Sequence, residues 1–302
     1  MKELIPQDRF THETEQKICS VLGCERITYP NIFGPQKEYR KFIILSTQRS
    51  GSSYLSNLLQ SHPQVVCYSE LFHPDRCSFD YPFFPEDQDE SVLMLRNSKP
   101  EKFLSAMIFR GYEENFGAVG FKVQYAQLED PRFKTAAEWM YKEPSLAVIH
   151  LIRTNFLDTL VSHKLALATQ EWWKTDPRII REAKQLGISD TDISATDISI
   201  YDTLQIETPA EEVLNNFEQQ ELQIDRYREC FQKHQVLEVT YEDLIMPATT
   251  ATSDILNFLG VAPAPLFSRI VKQKKRSNQE ILKNFSALKK AFEGTRWADF
   301  FE

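Results

Sequence analysis

A chain of 302 residues with 42% apolar and 26% charged residues can bury a large core, and that composition excludes a disordered or fibrous protein. Its 43 Asp and Glu exceed its 35 Lys and Arg, and the net charge of −8 repels phosphate backbones, which excludes general nucleic-acid binding. The five cysteines (Cys19, Cys24, Cys67, Cys77, Cys230) lack disulfide or zinc spacing and read as reduced thiols; no metal-ligand cluster is evident.

The opening "MKELIPQDRFTHETEQK" is polar, so no secretory signal peptide is expected. No apolar stretch approaches the ~20 residues of a membrane span, so the expectation is a cytoplasmic protein without a membrane partner. Five β-like runs follow: "FIILS" (42–46), "QVVCY" (64–68), "AVGFKV" (118–123), "LAVIHLI" (146–152) and "QVLEVTY" (235–241). Helical patterns lie between and after them, at 53–61, 101–111, 131–141, 155–171 and 211–233. Near-continuous apolar runs suit strands buried on both faces, so the alternation predicts an α/β fold with a central parallel sheet flanked by helices. Two segments break the pattern, an aromatic and acidic one at 73–90 and a polar, Asp-rich one at 171–207. One domain spanning 1–302, with its core at about 40–295, accommodates all of this.

The stretch "STQRSGSSYL" (46–55) directly follows the first apolar run. A turn at Gly51 leads into a helix whose start carries unpaired N–H groups and partial positive charge, and Arg49 adds a full charge. The hydroxyls of Ser52 and Ser53 can cap that helix or bind an anion. A Ser-capped helix with an incidental arginine explains the same residues. A nucleotide triphosphatase loop does not, because G-x-x-x-x-G-K-[ST] needs a second glycine and a lysine.

This stretch resembles the phosphosulfate-binding loop of sulfotransferases that use 3′-phosphoadenosine-5′-phosphosulfate, and is most similar to the bacterial trehalose 2-sulfotransferase and carbohydrate branch. The resemblance implies a P-loop-like sheet. It implies that Arg49, Ser50, Gly51, Ser52, Ser53 and Tyr54 hold the 5′-phosphosulfate, Arg49 balancing charge on the bridging oxygen. It also implies a 3′-phosphate site, which "VIHLIRTNFLDTLVSHKLA" supplies through Arg153 and Ser162. Arginine suits phosphate because its fork bonds bidentately, although Arg153 could instead pair with Asp158 and Ser162 could be a neutral helix residue. "VTYEDL" matches a further motif, whose tyrosine, here Tyr241, lies near the adenine or belongs to the core. Lys274 and Arg276, in the basic run 271–285, resemble the segment that closes over the nucleotide, or form a solvated face.

The same branch places its general base just after the second strand, where Glu70 stands; the alternatives are a surface carboxylate or a partner for Arg49. His73 is the rival base. Lys122 lies within the third strand, where a buried ammonium requires an anionic partner, and the resemblance places it near the sulfuryl group or the acceptor. The expected function is metal-free sulfuryl transfer to a hydroxyl or nitrogen, releasing adenosine 3′,5′-bisphosphate. A P-loop kinase or a non-catalytic nucleotide-binding module is the alternative. Phe79, Tyr81, Phe83, Phe84, Trp172, Trp173 and Tyr201 sit among acids in the two irregular segments. Rings beside carboxylates suit a small acceptor or short sugar, neutral or cationic, and Trp172 and Trp173 are its expected contacts. An assembly of identical chains is compatible with the sequence.

Overall fold

Each of the five apolar runs forms a strand. The structure, a computed structural model, describes residues 38–74, 77, 90–112, 116–178, 200–246, 250–273 and 275–302. The chain enters β1 (Arg40–Ser46), turns into α1 (Ser52–Gln60) and returns as β2 (Val65–Glu70). After α2 (Glu90–Ser98) and the short α3 (Pro100–Phe103) come β3 (Ala118–Gln124), α4 (Tyr125–Glu129), α5 (Lys134–Lys142) and β4 (Ala147–Ile152). Next are α6 (Phe156–Thr169), β5 (Lys174–Thr175), α7 (Ile200–Thr203), the long α8 (Ala210–Cys230) and β6 (Val236–Thr240). The remainder holds α9 (Tyr241–Ile245), α10 (Ala251–Leu259), β7 (Ile270–Val271), α11 (Asn278–Ile281) and α12 (Phe285–Ala291).

The main sheet has five parallel strands in the order β2-β3-β1-β4-β6. Helices cover both faces, as its continuous apolar strands require. On one face Leu55, Leu58 and Leu59 of α1, with Ile255 and Leu256 of α10, pack on Phe42, Ile44, Ile149 and Leu151. On the other, Phe133, Met140, Leu157, Leu160, Phe217 and Tyr227 pack against Ile43, Leu45, Val119, Phe121 and Val148. A separate antiparallel ribbon joins β5 to β7.

The sequence expectation differs from this fold in three places. The run 101–111 is not one α-helix: α3 passes into a π turn at Leu104–Ile108. The segment 171–207 is not wholly irregular, because it contains β5 and α7, while residues 179–199 lie outside the described residues. In the segment 73–90, residues 75–76 and 78–89 lie outside them, and so do Phe79, Tyr81, Phe83 and Phe84. Finally, Glu70 does not follow β2 but ends it, and β3 separates β2 from β1.

The end of β2 carries the irregularity that matters for the site. Val65, Val66, Cys67 and Tyr68 pair in step with Ala118, Val119, Gly120 and Phe121, but Lys122 pairs with Glu70 instead of Ser69. Ser69 is thus the extra residue of a β-bulge. Side chains alternate between faces along a strand, so one inserted residue moves Glu70 to the face that Ser69 would have occupied. That is the face of Lys122 and α1.

Candidate active site

Parallel strands bring their C-terminal ends to one edge, where loops of different origin meet. Here β1 delivers the loop 47–51, β2 delivers Glu70, β3 delivers Lys122 and Gln124, and β4 delivers Arg153.

The loop is held in an unusual backbone. Arg49 has φ 62° and Gly51 has φ 90°, both left-handed. A Cβ on Gly51 would stand 2.4 Å from Cδ2 and 2.8 Å from Cε2 of Tyr241. The side-chain space at this glycine is therefore filled by the tyrosine ring, where the sequence suggested a ligand. The Ser50 hydroxyl donates to the Thr47 carbonyl at 2.8 Å, which closes the turn. Gly51 is the N-cap of α1 and supplies no capping side chain, and no acidic residue stands in the first turn. Ser52 is buried there, and Tyr54, half-buried in the same turn, has its phenol pKa raised by burial.

Arg49 ties the loop to three other parts of the chain. Its Nε donates to Ser162 Oγ of α6 at 3.0 Å, one terminal nitrogen donates to the Trp172 carbonyl, and the other to Gln273 Oε1 at 2.8 Å. All three acceptors are neutral, so these bonds orient the guanidinium without cancelling its charge. Gln273 in turn donates to the Glu171 carbonyl at 2.9 Å, so the start of the 171–207 segment is fastened beside the loop. The Trp172 ring lies 6.1 Å from that of His163, whose pKa is lowered by burial first and then by Arg49 and Lys164.

Arg153 joins the same assembly. It donates to the Arg49 carbonyl at 3.2 Å and to Asp158 Oδ2 at 2.7 Å, and its guanidinium lies 4.7 Å from the Tyr241 ring centroid. The Asp158 pairing considered from sequence is thus present, with Asn278 bonded to the second carboxylate oxygen at 2.9 Å. The Nε of Arg153 is buried and has no hydrogen-bond partner among the described residues. Tyr241 opens α9, and its phenol pKa is raised, mainly by burial.

Lys122 is almost fully buried, with 1% of its side chain exposed, and sits 2.8 Å from Glu70 Oε1. It also donates to Ser53 Oγ at 2.6 Å, so one ammonium links β2 to the first turn of α1. The anionic partner that a buried lysine demands is therefore Glu70, and Glu70 is not a surface carboxylate. Removing one partner of so buried a pair typically costs about 3–5 kcal/mol.

His73 stands past the end of β2, its carbonyl accepting from Arg96 at 2.9 Å. Arg276 donates to the Leu204 carbonyl at 2.6 Å, Lys274 lies outside the described residues, and Trp173 is half-buried beside Trp172. Four buried polar residues went unnoticed in the sequence: Gln124, Arg96, Gln273 and Arg269. Arg269 bonds through Nε to Asn57 of α1 at 3.2 Å. Only Gln124 had a legible signal, an even spacing from Lys122 on one strand. Among the described residues no group of His, Cys, Asp and Glu could hold a metal, and no helix is long and apolar enough to cross a membrane.

A left-handed loop at a helix start, two arginines and a buried carboxylate–ammonium pair thus meet at one edge of the sheet, the edge where parallel α/β folds place their ligands. A model of the Sulfotransferase family matches residues 41–265, most of the chain, which therefore belongs to that family and is a transferase of the sulfotransferase class. Nodulation protein H of Rhizobium tropici is 29% identical over 267 residues, covering 86% of this chain and 92% of that protein. Nodulation protein H of Rhizobium meliloti is 24% identical over 275 residues, covering 87% and 95%. The crystal structure of a sulfotransferase from Alicyclobacillus acidocaldarius is 16% identical with a TM-score of 0.43, covering 85% of this chain and 92% of that one.

Proposed function

We propose that this protein moves a sulfuryl group from 3′-phosphoadenosine-5′-phosphosulfate to a hydroxyl or nitrogen of a small-molecule or short-sugar acceptor. The observation that carries the reading is the continuity of two anion-binding groups: Arg49 bonds Ser162 through its side chain and Arg153 through its carbonyl. A donor with phosphate at two positions needs two such groups. The residues fit it. The first turn of α1 is free of acids, and the buried, partnerless Nε of Arg153 is a donor in want of an acceptor.

The donor supplies a sulfur centre and a phosphate leaving group. In the transfer a bond forms from acceptor oxygen to sulfur, the bond from sulfur to the phosphate oxygen breaks, and the acceptor's proton passes to Glu70. Ser52, Ser53 and the N–H groups of α1 would hold the 5′ end, with Arg49 offsetting charge. Arg153 and Ser162 would hold the 3′-phosphate, and Tyr241 would border the base. Lys122 keeps a positive charge between the carboxylate and the loop. Trp172, whose carbonyl Arg49 already holds, borders the acceptor side.

Titration with adenosine 3′,5′-bisphosphate, without metal, tests this reading. Arg153→Ala should weaken the bisphosphate by tenfold or more while changing 5′-AMP affinity by less than about twofold, the loss expected for one charge-assisted contact. Equal losses for both nucleotides would remove Arg153 from the 3′-phosphate site.

A further inference from the structure

We infer that Gln124 is a positioning residue that sets the orientation of the Glu70 carboxylate for proton abstraction, an inference that rests on the reading of Glu70 as the base. Gln124 ends β3 and is the N-cap of α4. The Gln127 side chain accepts the N–H of Gln124 at 3.1 Å, which fixes the backbone where β3 passes into α4. A primary amide has one accepting oxygen and one donating nitrogen. A carboxylate oxygen only accepts, so the flipped orientation would set acceptor against acceptor. The NH₂ must then face Glu70, and it donates to Oε1 at 3.2 Å.

Lys122 meets that same oxygen at 2.8 Å. Lys122 and Gln124 are two positions apart on β3 and so share its face, the face onto which the bulge at Ser69 turns Glu70. One carboxylate oxygen is thereby held by two donors anchored in the same strand. Rotation of the carboxylate about its own axis would break both bonds, so its plane is fixed relative to the loop. Both donors also favour the ionised form, the form that takes a proton. Lys122 supplies most of the charge; Gln124, neutral and anchored at the end of β3, supplies direction.

The test uses two variants of the full chain, Gln124→Glu and Gln124→Met. The first keeps the size but sets a carboxylate oxygen against Glu70. Like charges sharing a site raise the pH at which the pair takes its first proton. The second removes the donor and keeps the length. Glu70 is titrated by ¹³C NMR of labelled glutamate carboxyls in the adenosine 3′,5′-bisphosphate complex, its signal assigned by its loss in Glu70→Gln. Turnover is followed as hydrolysis of labelled donor across pH, with water as the probe acceptor.

The Glu70 midpoint should rise by about one pH unit or more in Gln124→Glu and by about half a unit in Gln124→Met. The acidic limb of hydrolysis should move in step, while bisphosphate affinity stays within about twofold, a split that a merely structural role would not produce. Midpoints unchanged in both variants overturn the inference, as does a midpoint that moves while the acidic limb stays. Undiminished hydrolysis by Glu70→Gln is a different failure: it removes Glu70 as the base, whatever Gln124 does.

Discussion

Gly51→Ala should be among the most damaging single-methyl additions in this protein, and its cost divides into two measurable parts. The backbone there has φ 90°, and an L residue in left-handed conformation costs roughly 1–2 kcal/mol. The new Cβ would also lie 2.4 Å from Tyr241 Cδ2, more than 1 Å inside the usual carbon–carbon contact of about 3.5–4.0 Å, so the ring must shift. Overpacking of this kind costs about 1–3 kcal/mol. The ring cannot move alone, because Arg153 lies 4.7 Å from its centroid and holds the Arg49 carbonyl. Urea unfolding should show a total loss of about 2–5 kcal/mol, and bisphosphate affinity should fall by more than tenfold. The double-mutant cycle with Tyr241→Ala separates the parts. With the ring gone, Gly51→Ala should cost only the backbone share, leaving a coupling of about 1–3 kcal/mol. Additivity within about 0.5 kcal/mol would refute the claim that the ring makes glycine necessary.

Two further predictions concern positions away from the loop. Arg96 of α2, 1% exposed, donates at 2.9 Å to the carbonyls of both Leu71 and His73 and lies 5.1 Å from the Phe133 ring centroid, so it straps the turn that follows Glu70. Arg96→Met should cost about 2–4 kcal/mol in urea unfolding, and Arg96→Lys should recover only part of it because an ammonium lacks the fork; a loss under about 1 kcal/mol would contradict the strap. His150 in β4 is buried, with Nε2 2.5 Å from Tyr125 Oη, and burial lowers its pKa from 6.5 to about 4 against the opposing pull of Glu238. The unfolded chain therefore binds the proton first, so this contribution is complete above about pH 6.5 and is lost as pH falls toward 4. The loss should reach about 2–3 kcal/mol by pH 4.5, seen as a shallower pH dependence of stability in His150→Gln, and an identical slope in the variant would contradict it.

The strands were legible because a parallel sheet covered on both faces leaves little choice of residue: "FIIL" and "AVIHLI" become β1 and β4 within two residues of expectation. The positions of Arg49, Arg153 and Ser162 were legible for a related reason, since each lies at a strand end or on the first turns of the helix that follows. Lys122 stood out because a charge in an apolar strand must be answered, but its partner could not be read from sequence. That partner depends on the bulge at Ser69, and the run "VVCYSE" shows no glycine or proline to announce it. Nor does local sequence give strand order, so the interposition of β3 between β2 and β1 was hidden. Gln273 and Arg96 look like ordinary polar residues because their burial is decided by segments tens of residues away. Tyr241 on Gly51 is the same case: the glycine announced a close approach but not which neighbour approaches.

Strand order has a consequence for the site that the residue types alone do not. Were β2 beside β1, Glu70 would face the loop directly and would compete with any anion there for Arg49. With β3 between them, the carboxylate is met by Lys122 and Gln124, and the loop is met by Lys122 through Ser53. A carboxylate is thus held two bonds away from the first turn of α1, with the Lys122 ammonium between them. At the effective dielectric of a partly buried site, two unit charges about 4 Å apart interact by about 4 kcal/mol, enough to expel either a second anion or the charge on the carboxylate. The interposed cation removes that conflict. It also ties the geometry of one side to the other, because Ser53 and Glu70 share a single ammonium with bonds of 2.6 and 2.8 Å, and neither can move far without drawing Lys122 from its partner.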